Sequence, residues 1–527
     1  MNDAEFPAPP LPTVPIERWA GALAGLVAGA LAVTIGMLVA AITDVVSPID
    51  AVGSEFIDRC PEWLRHWAIE RFGTDDKLVL RIGIVVVLAA AALALGVAAR
   101  TRSRIGIIGV VAFGVVGALA AVARPDQSVG AMLPSIVGAA VGAPVLVRLA
   151  AARPIRVPGG TLSGDAAVRR RLLVSTGGTA LAAVTAGGIA KAIDDRRLDD
   201  FVARSSTPLP DAEQLDPAPS IATTSSMPAP DADIGTASPF ITPNADFYRI
   251  DTVLRFPRVE TADWTLSIDG MVDRPRTITW DDLMAMPQVE RVITIACVSN
   301  EIGGDLVGNA VWRGVLLRDI LEPTGIQSAA QQIMSTSDDG WNCGFPVGAA
   351  FDGRDAMVAF GMNGEPLPLE HGFPARLIVP GLYGYVSATK WVRKITLTTW
   401  EDKGYWVYQG WSQEAPIKTQ SRIDVPRAGA VVAAGAFRAA GVAWAQRRGV
   451  ERVEVRIDGG PWQEATLGDD VSDDAWRQWY IDLDLSRGEY VMEVRATDKS
   501  GYVQTEQRTS VAPDGATGYH ARRLRIS

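Results

Sequence analysis

The sequence predicts a multi-domain chain: an all-α membrane domain of five helices, then an α+β domain, then a small β-sandwich. Three observations carry that reading. Five uncharged apolar stretches crowd the first 190 residues, a segment rich in Pro, Ala, Ser, Thr and Asp follows at 194–239, and the remainder alternates short β-type runs with turn-rich pieces. The expected boundaries are 1–193 for the membrane domain, 194–239 for a flexible linker, 240–420 for the α+β domain and 421–527 for the sandwich.

The apolar stretches are 19–42, 82–99, 105–123, 129–147 and 172–190. Each reaches the roughly 18–20 residues that a helix needs to cross about 30 Å of hydrocarbon. Their flanks differ in charge: residues 44–77 hold eight acidic and four basic side chains, whereas Arg100, Arg102, Arg104 and the segment 148–171 are basic. By the positive-inside rule the N-terminus and the basic loops lie in the cytoplasm, and everything after the fifth helix lies outside. The expectation is a multi-pass protein of the cytoplasmic membrane, in contact with lipid. Arg169–Arg171, ahead of a Gly/Ala/Thr-rich segment, leave two readings open: a twin-arginine export signal placed internally, or an ordinary last helix with a basic flank. Both put the C-terminal half outside. None of the five stretches contains histidine, so they offer no haem ligation by paired imidazoles, and their lack of charge argues against a transporter.

A net charge of −10 without a clustered basic surface excludes nucleic acid as a partner. Cys60, Cys297 and Cys343 are too few and too scattered for a disulfide framework, and His66, His371 and His520 limit what imidazole chemistry is possible. In the α+β segment, β-type runs at 264–268, 292–296 and 376–379 alternate with helical pieces at 280–286 and 316–321. The run ITIACVSN puts Cys297 at the end of an apolar strand. A soft thiolate there suits a high-valent metal, although a lone cysteine is more often a plain buried thiol. Beyond residue 421, Val453, Val455 and Ile457, then Tyr490, Met492, Val494 and Ala496, alternate with polar residues before turns. That period reads as a β-sandwich.

Six runs occur in order from residue 244 to 423: NADFYRIDT, ITWDDL, ITIACVSN, GNAVWRGVLLRDIL, MNGEPLPLEHGFPARLIVPGLYGYVSATKW and GYWVYQGWSQEAPIKTQSRI. On these runs the segment from about Asn244 to Lys418 resembles the oxidoreductase molybdopterin-binding domain of sulfite oxidases, plant-type nitrate reductases and periplasmic methionine-sulfoxide reductases. The resemblance implies a sulfite-oxidase-type catalytic domain with a Mo-molybdopterin cofactor, Cys297 as the protein ligand to the metal, and oxygen-atom transfer as the chemistry. It implies that Tyr248, Arg249, His371, Arg376 and the Ala388–Thr389–Lys390 turn hold the pterin or its phosphate, a role for which cationic donors are suited. Arg249 is also the carried-over arginine expected to face the metal. Tyr383 and Tyr385 are secondary candidates for lining the catalytic pocket, and Cys343 is expected to be an inert buried thiol. The sandwich is expected to be immunoglobulin-like, with a possible homodimer formed through it.

The pattern also departs from the family. Sulfite oxidases carry Cys-x-Gly-Asn-Arg-Arg, whereas this chain reads Cys297, Val298, Ser299, Asn300, Glu301, Ile302, and its GWNCGFP run (340–346) has no tyrosine. A doubly charged anion would meet less compensation here, which makes sulfite a doubtful substrate. The leading expectation is an extracytoplasmic oxidoreductase acting on a small sulfur-containing or related molecule. An S-oxide or N-oxide reductase of the methionine-sulfoxide type is the alternative, and a membrane-tethered binding protein the non-enzyme one. No CxxCH site, cytochrome b5 segment or flavin fingerprint occurs, so electrons are expected to pass to a separate protein, a cytochrome or a quinone-linked carrier.

Overall fold

The computed structural model describes residues 18–61, 64, 67, 71–72, 76–124, 127–150, 163–209, 211–219 and 235–527. The described residues divide into two compact units, one running to Asp199 and including Val253–Arg255, the other covering Asp200–Thr252 and Phe256–Ser527. Residues 210 and 220–234 of the expected linker lie outside the described residues, as do residues 151–162 of the basic segment 148–171.

The first unit is helical. Trp19–Thr43, Lys77–Thr101, Ser103–Val122, Val129–Ala150 and Leu173–Ser205 are each long and apolar enough to cross a membrane. Small residues let them approach closely. A Cβ on Gly25 would lie 2.0 Å from the Ala92 carbonyl oxygen, and one on Gly96 would lie 2.1 Å from that of Gly21. Larger side chains at this crossing would push the backbones apart.

The last helix differs from expectation. It runs through Ser163–Ser205, so residues 194–205, read as the start of the linker, continue it. Local pairing and packing explain the extension. Lys191 and Asp195 form an i,i+4 ion pair (2.8 Å), Phe201 is buried edge-on against Phe373 (5.8 Å), and Arg204 pairs with Glu260 (2.7 Å).

The second unit begins with strands β1 (Leu215–Asp216), β2 (Thr265–Gly270), β3 (Arg276–Thr279), β4 (Gln288–Ala296), β5 (Val307–Leu316) and β6 (Gln332–Ser337). There follow β7 (Asn342–Pro346), β8 (Met357–Met362), β9 (Glu365–Pro366), β10 (Arg376–Ile378) and β11 (Val392–Thr398). Among the described residues they form two sheets, ordered β1-β4-β5-β8-β10 with β9 on β8, and β3-β2-β11-β6-β7. Helix Trp280–Ala285 starts with a capping box between Thr279 and Asp282. One apolar core joins the two sheets, with Trp264 just before β2, Leu266 and Ile268 of β2 and Ile395 and Leu397 of β11 meeting Val358 and Phe360 of β8.

The C-terminal strands are β12 (Gln420–Val425), β13 (Val431–Val432), β14 (Gly435–Trp444), β15 (Val450–Ile457) and β16 (Gln463–Glu464), then β17 (Thr466–Leu467), β18 (Arg477–Leu485), β19 (Gly488–Asp498) and β20 (His520–Ile526). They make sheets ordered β12-β14-β18-β17 and β13-β20-β19-β15-β16. The period-2 residues Val453, Val455, Met492, Val494 and Ala496 point into a shared core with Trp479 and Leu524.

Candidate active site

Residues 292–296 of β4 are all buried, and Cys297 follows where the strand gives way to a loop. Its backbone N–H donates to the Leu306 carbonyl (2.9 Å) and its Sγ accepts from the Ser299 N–H (3.4 Å). Burial pushes its thiol up from the ordinary range. The first residue of helix Gly384–Ser387 packs against this strand end: a Cβ on Gly384 would lie 3.8 Å from the Ala296 carbonyl oxygen. Tyr383, 4% exposed, belongs to the same apolar cluster as Ala296 and Val298. Burial raises its phenol above the ordinary value, so Tyr383 remains a donor at any physiological pH.

Arg376 opens β10 and is 5% exposed. Its Nη1 donates to the His371 carbonyl (3.0 Å), its Nη2 to that of Ala388 (3.4 Å), and its guanidinium carbon sits 5.1 Å from the Trp312 ring centroid. Its Nε is buried without a hydrogen-bond partner. Burial lowers its pKa to about 10, which leaves it cationic at neutral pH. Tyr248 lies within electrostatic reach of both Arg376 and Cys297, and burial raises its phenol. Phe247 stacks on Tyr248 (5.3 Å) and meets Trp312 and His371 edge-on (5.7 and 5.6 Å). His371 Nε2 faces the Asn244 carbonyl (3.0 Å), and burial, then Arg376, push the ring down to about 4. The neutral ring therefore donates to that carbonyl.

The other residues singled out in the sequence are placed differently. Lys390 Nζ donates to Asp251 (2.9 Å) and to the Glu370 carbonyl (3.0 Å), and Asp251, only 4% exposed in its side chain, also lies 3.7 Å from Arg249 Nε. Arg249 is exposed, with its guanidinium carbon 5.1 Å from the Phe256 ring centroid. Thr389 turns inward, bonding Ser335 Oγ (2.6 Å) and Cys343 Sγ (3.1 Å). Burial pushes the Cys343 thiol up to about 11. Tyr385 donates to the Ser412 carbonyl (2.5 Å). The structure thus gathers Cys297, Tyr248, Arg376, His371 and Tyr383, with the Lys418 backbone bonded to Tyr383, and places Arg249, Lys390 and Tyr385 on partners outside that group. Asp251 escaped sequence reading, although it stands two residues after Arg249 in a quoted run. Ile302 lies beside Gly518, whose Cβ, if present, would be 2.9 Å from Ile302 Cδ1.

These donors fit an anionic, largely self-ligating metal cofactor. Among the described residues no group of three or more His, Cys, Asp or Glu side chains is gathered to hold a metal, so a metal at Cys297 would draw its other ligands from the cofactor. A buried guanidinium with an unpaired Nε calls for an anion. The fold and this donor set define a molybdopterin-binding oxidoreductase, and the family model "Oxidoreductase molybdopterin binding domain" matches residues 253–406. The chain is 31% identical to the sulfite oxidase of Gallus gallus over 330 residues, 53% of this chain and 70% of the relative. To the mitochondrial sulfite oxidase of Mus musculus it is 30% identical, over 52% of this chain and 58% of the relative. An uncharacterized oxidoreductase of Bacillus subtilis (strain 168) is 34% identical over 30% of this chain and 80% of its own. The chain belongs to the sulfite oxidase family and is a molybdopterin-dependent oxidoreductase.

Proposed function

We propose that the protein is a membrane-anchored enzyme with its catalytic domain outside the cytoplasm, transferring an oxygen atom to or from a small sulfur-containing molecule. The observation that carries the site assignment is the buried, incompletely bonded Arg376 beside Tyr248, a tyrosine that is also within electrostatic reach of Cys297. When bound, the cofactor supplies the two-electron, oxygen-transfer chemistry. Cys297 would hold its metal, Arg376 would bind its anionic part, and the backbone carbonyls of His371 and Ala388 keep that guanidinium in place. Lys390 and Arg249, balanced by Asp251, contribute a weaker electrostatic hold, and Thr389 secures the turn that carries Lys390. Tyr383 presents a protonated phenol to orient substrate, and Tyr385 is anchored on the Ser412 carbonyl.

Five apolar helices and the basic cytoplasmic flanks read from the sequence support the anchoring and its orientation. A separate cytochrome or quinone-linked carrier would exchange electrons with the site, and the C-terminal sandwich, immunoglobulin-like in this reading, would support a homodimer. Ile302 beside Gly518, where the family pattern places arginine, favours a substrate with less charge than sulfite and so keeps an S-oxide or N-oxide reductase as second reading. Purified holoprotein assayed with sulfite plus an electron acceptor, and with methionine sulfoxide plus a donor, separates them. Turnover of neither, nor of any related sulfur compound, would contradict the proposal.

A further inference from the structure

We infer that Thr294, held by Gln446 and the 474–476 segment of the C-terminal module, is a positioning residue for the metal-ligating cysteine; this rests on the functional reading of Cys297 above. Thr294 is fully buried on β4, three residues before Cys297. On one side β4 pairs with β5 from Val289 to Ala296, but on the other β1 covers only Gln288 and Val289. Beyond that point the edge of β4 presents backbone groups that need partners from outside the sheet.

The C-terminal module supplies them. The Thr294 N–H donates to the Asp474 carbonyl (2.9 Å), and the Thr294 carbonyl accepts from Gln446 Nε2 (3.0 Å). The hydroxyl works in both directions, accepting from the Trp476 backbone N–H (2.7 Å) and donating to Asn309 Oδ1 on β5 (2.9 Å). Asn309 Nδ2 and Trp476 Nε1 then converge on the Phe240 carbonyl, each at 2.8 Å. Gln446 and Asn309 are 0% exposed and Trp476 3%, so water cannot replace a lost partner. Trp444, Ala475 and Trp476 of the module share an apolar cluster with Val292, Ala296 and Val298 on either side of Cys297. The strand that delivers the cysteine is therefore clamped between β5 and the module, which acts as part of the active site's frame.

Three full-length proteins test this: wild type, Thr294→Val, which keeps the β-branched shape but deletes the hydroxyl, and Thr294→Ser, which restores it. The readouts are the rate of pterin release, followed by fluorescence of the oxidised pterin, and the electron paramagnetic resonance line shape of the half-reduced metal. Two buried groups left unpaired should speed release about tenfold in Thr294→Val and alter its line shape, while Thr294→Ser stays near wild type. Wild-type release and line shape in Thr294→Val, or equal impairment of both variants, would overturn the inference. Should Thr294→Val fail to fold, Gln446→Met, which removes one donor from the same carbonyl, is held to the same criteria against wild type. Absence of molybdenum from the wild type would instead overturn the functional reading, so the two failures are distinguishable.

Discussion

Arg376 carries a full positive charge in a place water hardly reaches, and among the described residues its guanidinium hydrogen-bonds only the carbonyls of His371 and Ala388. A cation so placed is costly unless an anion completes it. Arg376→Met should therefore purify with at least about tenfold less pterin, since hydrogen bonds to charged groups contribute roughly 1.5–3 kcal/mol. Arg376→Lys should recover part of it, because lysine restores the charge without the fork. Pterin and molybdenum analysis of the purified variants checks both. His371 and His520 make a separate prediction about pH. Burial pushes each ring from 6.5 down to about 4. Between those values the unfolded chain takes up protons that the folded chain refuses, so stability is complete above about pH 6.5 and falls as pH drops toward 4, by up to about 3 kcal/mol per ring. Denaturant midpoints measured from pH 7 to 4 should show this decline, and His520→Asn should reduce it by about half, leaving the share of His371.

Between β4 and β5 the loop that follows Cys297 is shaped by glycine. Gly303 has φ +76°, and a Cβ there would lie 2.4 Å from His520 Nε2. Gly303→Ala should cost about 1 kcal/mol or more and displace the loop, which thermal unfolding and cofactor content would register. The strands and helices at this level were largely legible from pattern alone. The runs expected at 264–268, 292–296 and 376–379 correspond to β2, β4 and β10, and the helical pieces at 280–286 and 316–321 to Trp280–Ala285 and Leu317–Leu321. Apolar period and turn residues are local, so they survive in a single sequence. What escaped depends on residues far apart in the chain. Asp251 meets Lys390 across 139 positions, Trp476 meets Thr294 across 182, and the two-residue strand β1 owes its existence to β4. Nor did composition reveal that the fifth helix runs on to Ser205, because charged residues at 194–204 suit a linker and an exposed helix equally well.

For the molecule as a whole, the five apolar helices predict that the chain stays in the membrane fraction after alkaline carbonate washing, and that a reporter active only outside the cytoplasm is active when fused at the C-terminus. An inactive C-terminal reporter, with an active one at the N-terminus, would reverse the proposed orientation. The central claim concerns chemistry rather than location: one cysteine holds the metal of a pterin cofactor that the fold encloses. The most direct measurement is molybdenum and pterin stoichiometry of full-length protein, with electron paramagnetic resonance of the reduced sample, for wild type and Cys297→Ser. The account predicts close to one molybdenum per chain and a molybdenum signal in the wild type, with loss or alteration of that signal and loss of turnover in Cys297→Ser. A wild-type protein free of molybdenum, or a serine variant with wild-type signal and turnover, would contradict it.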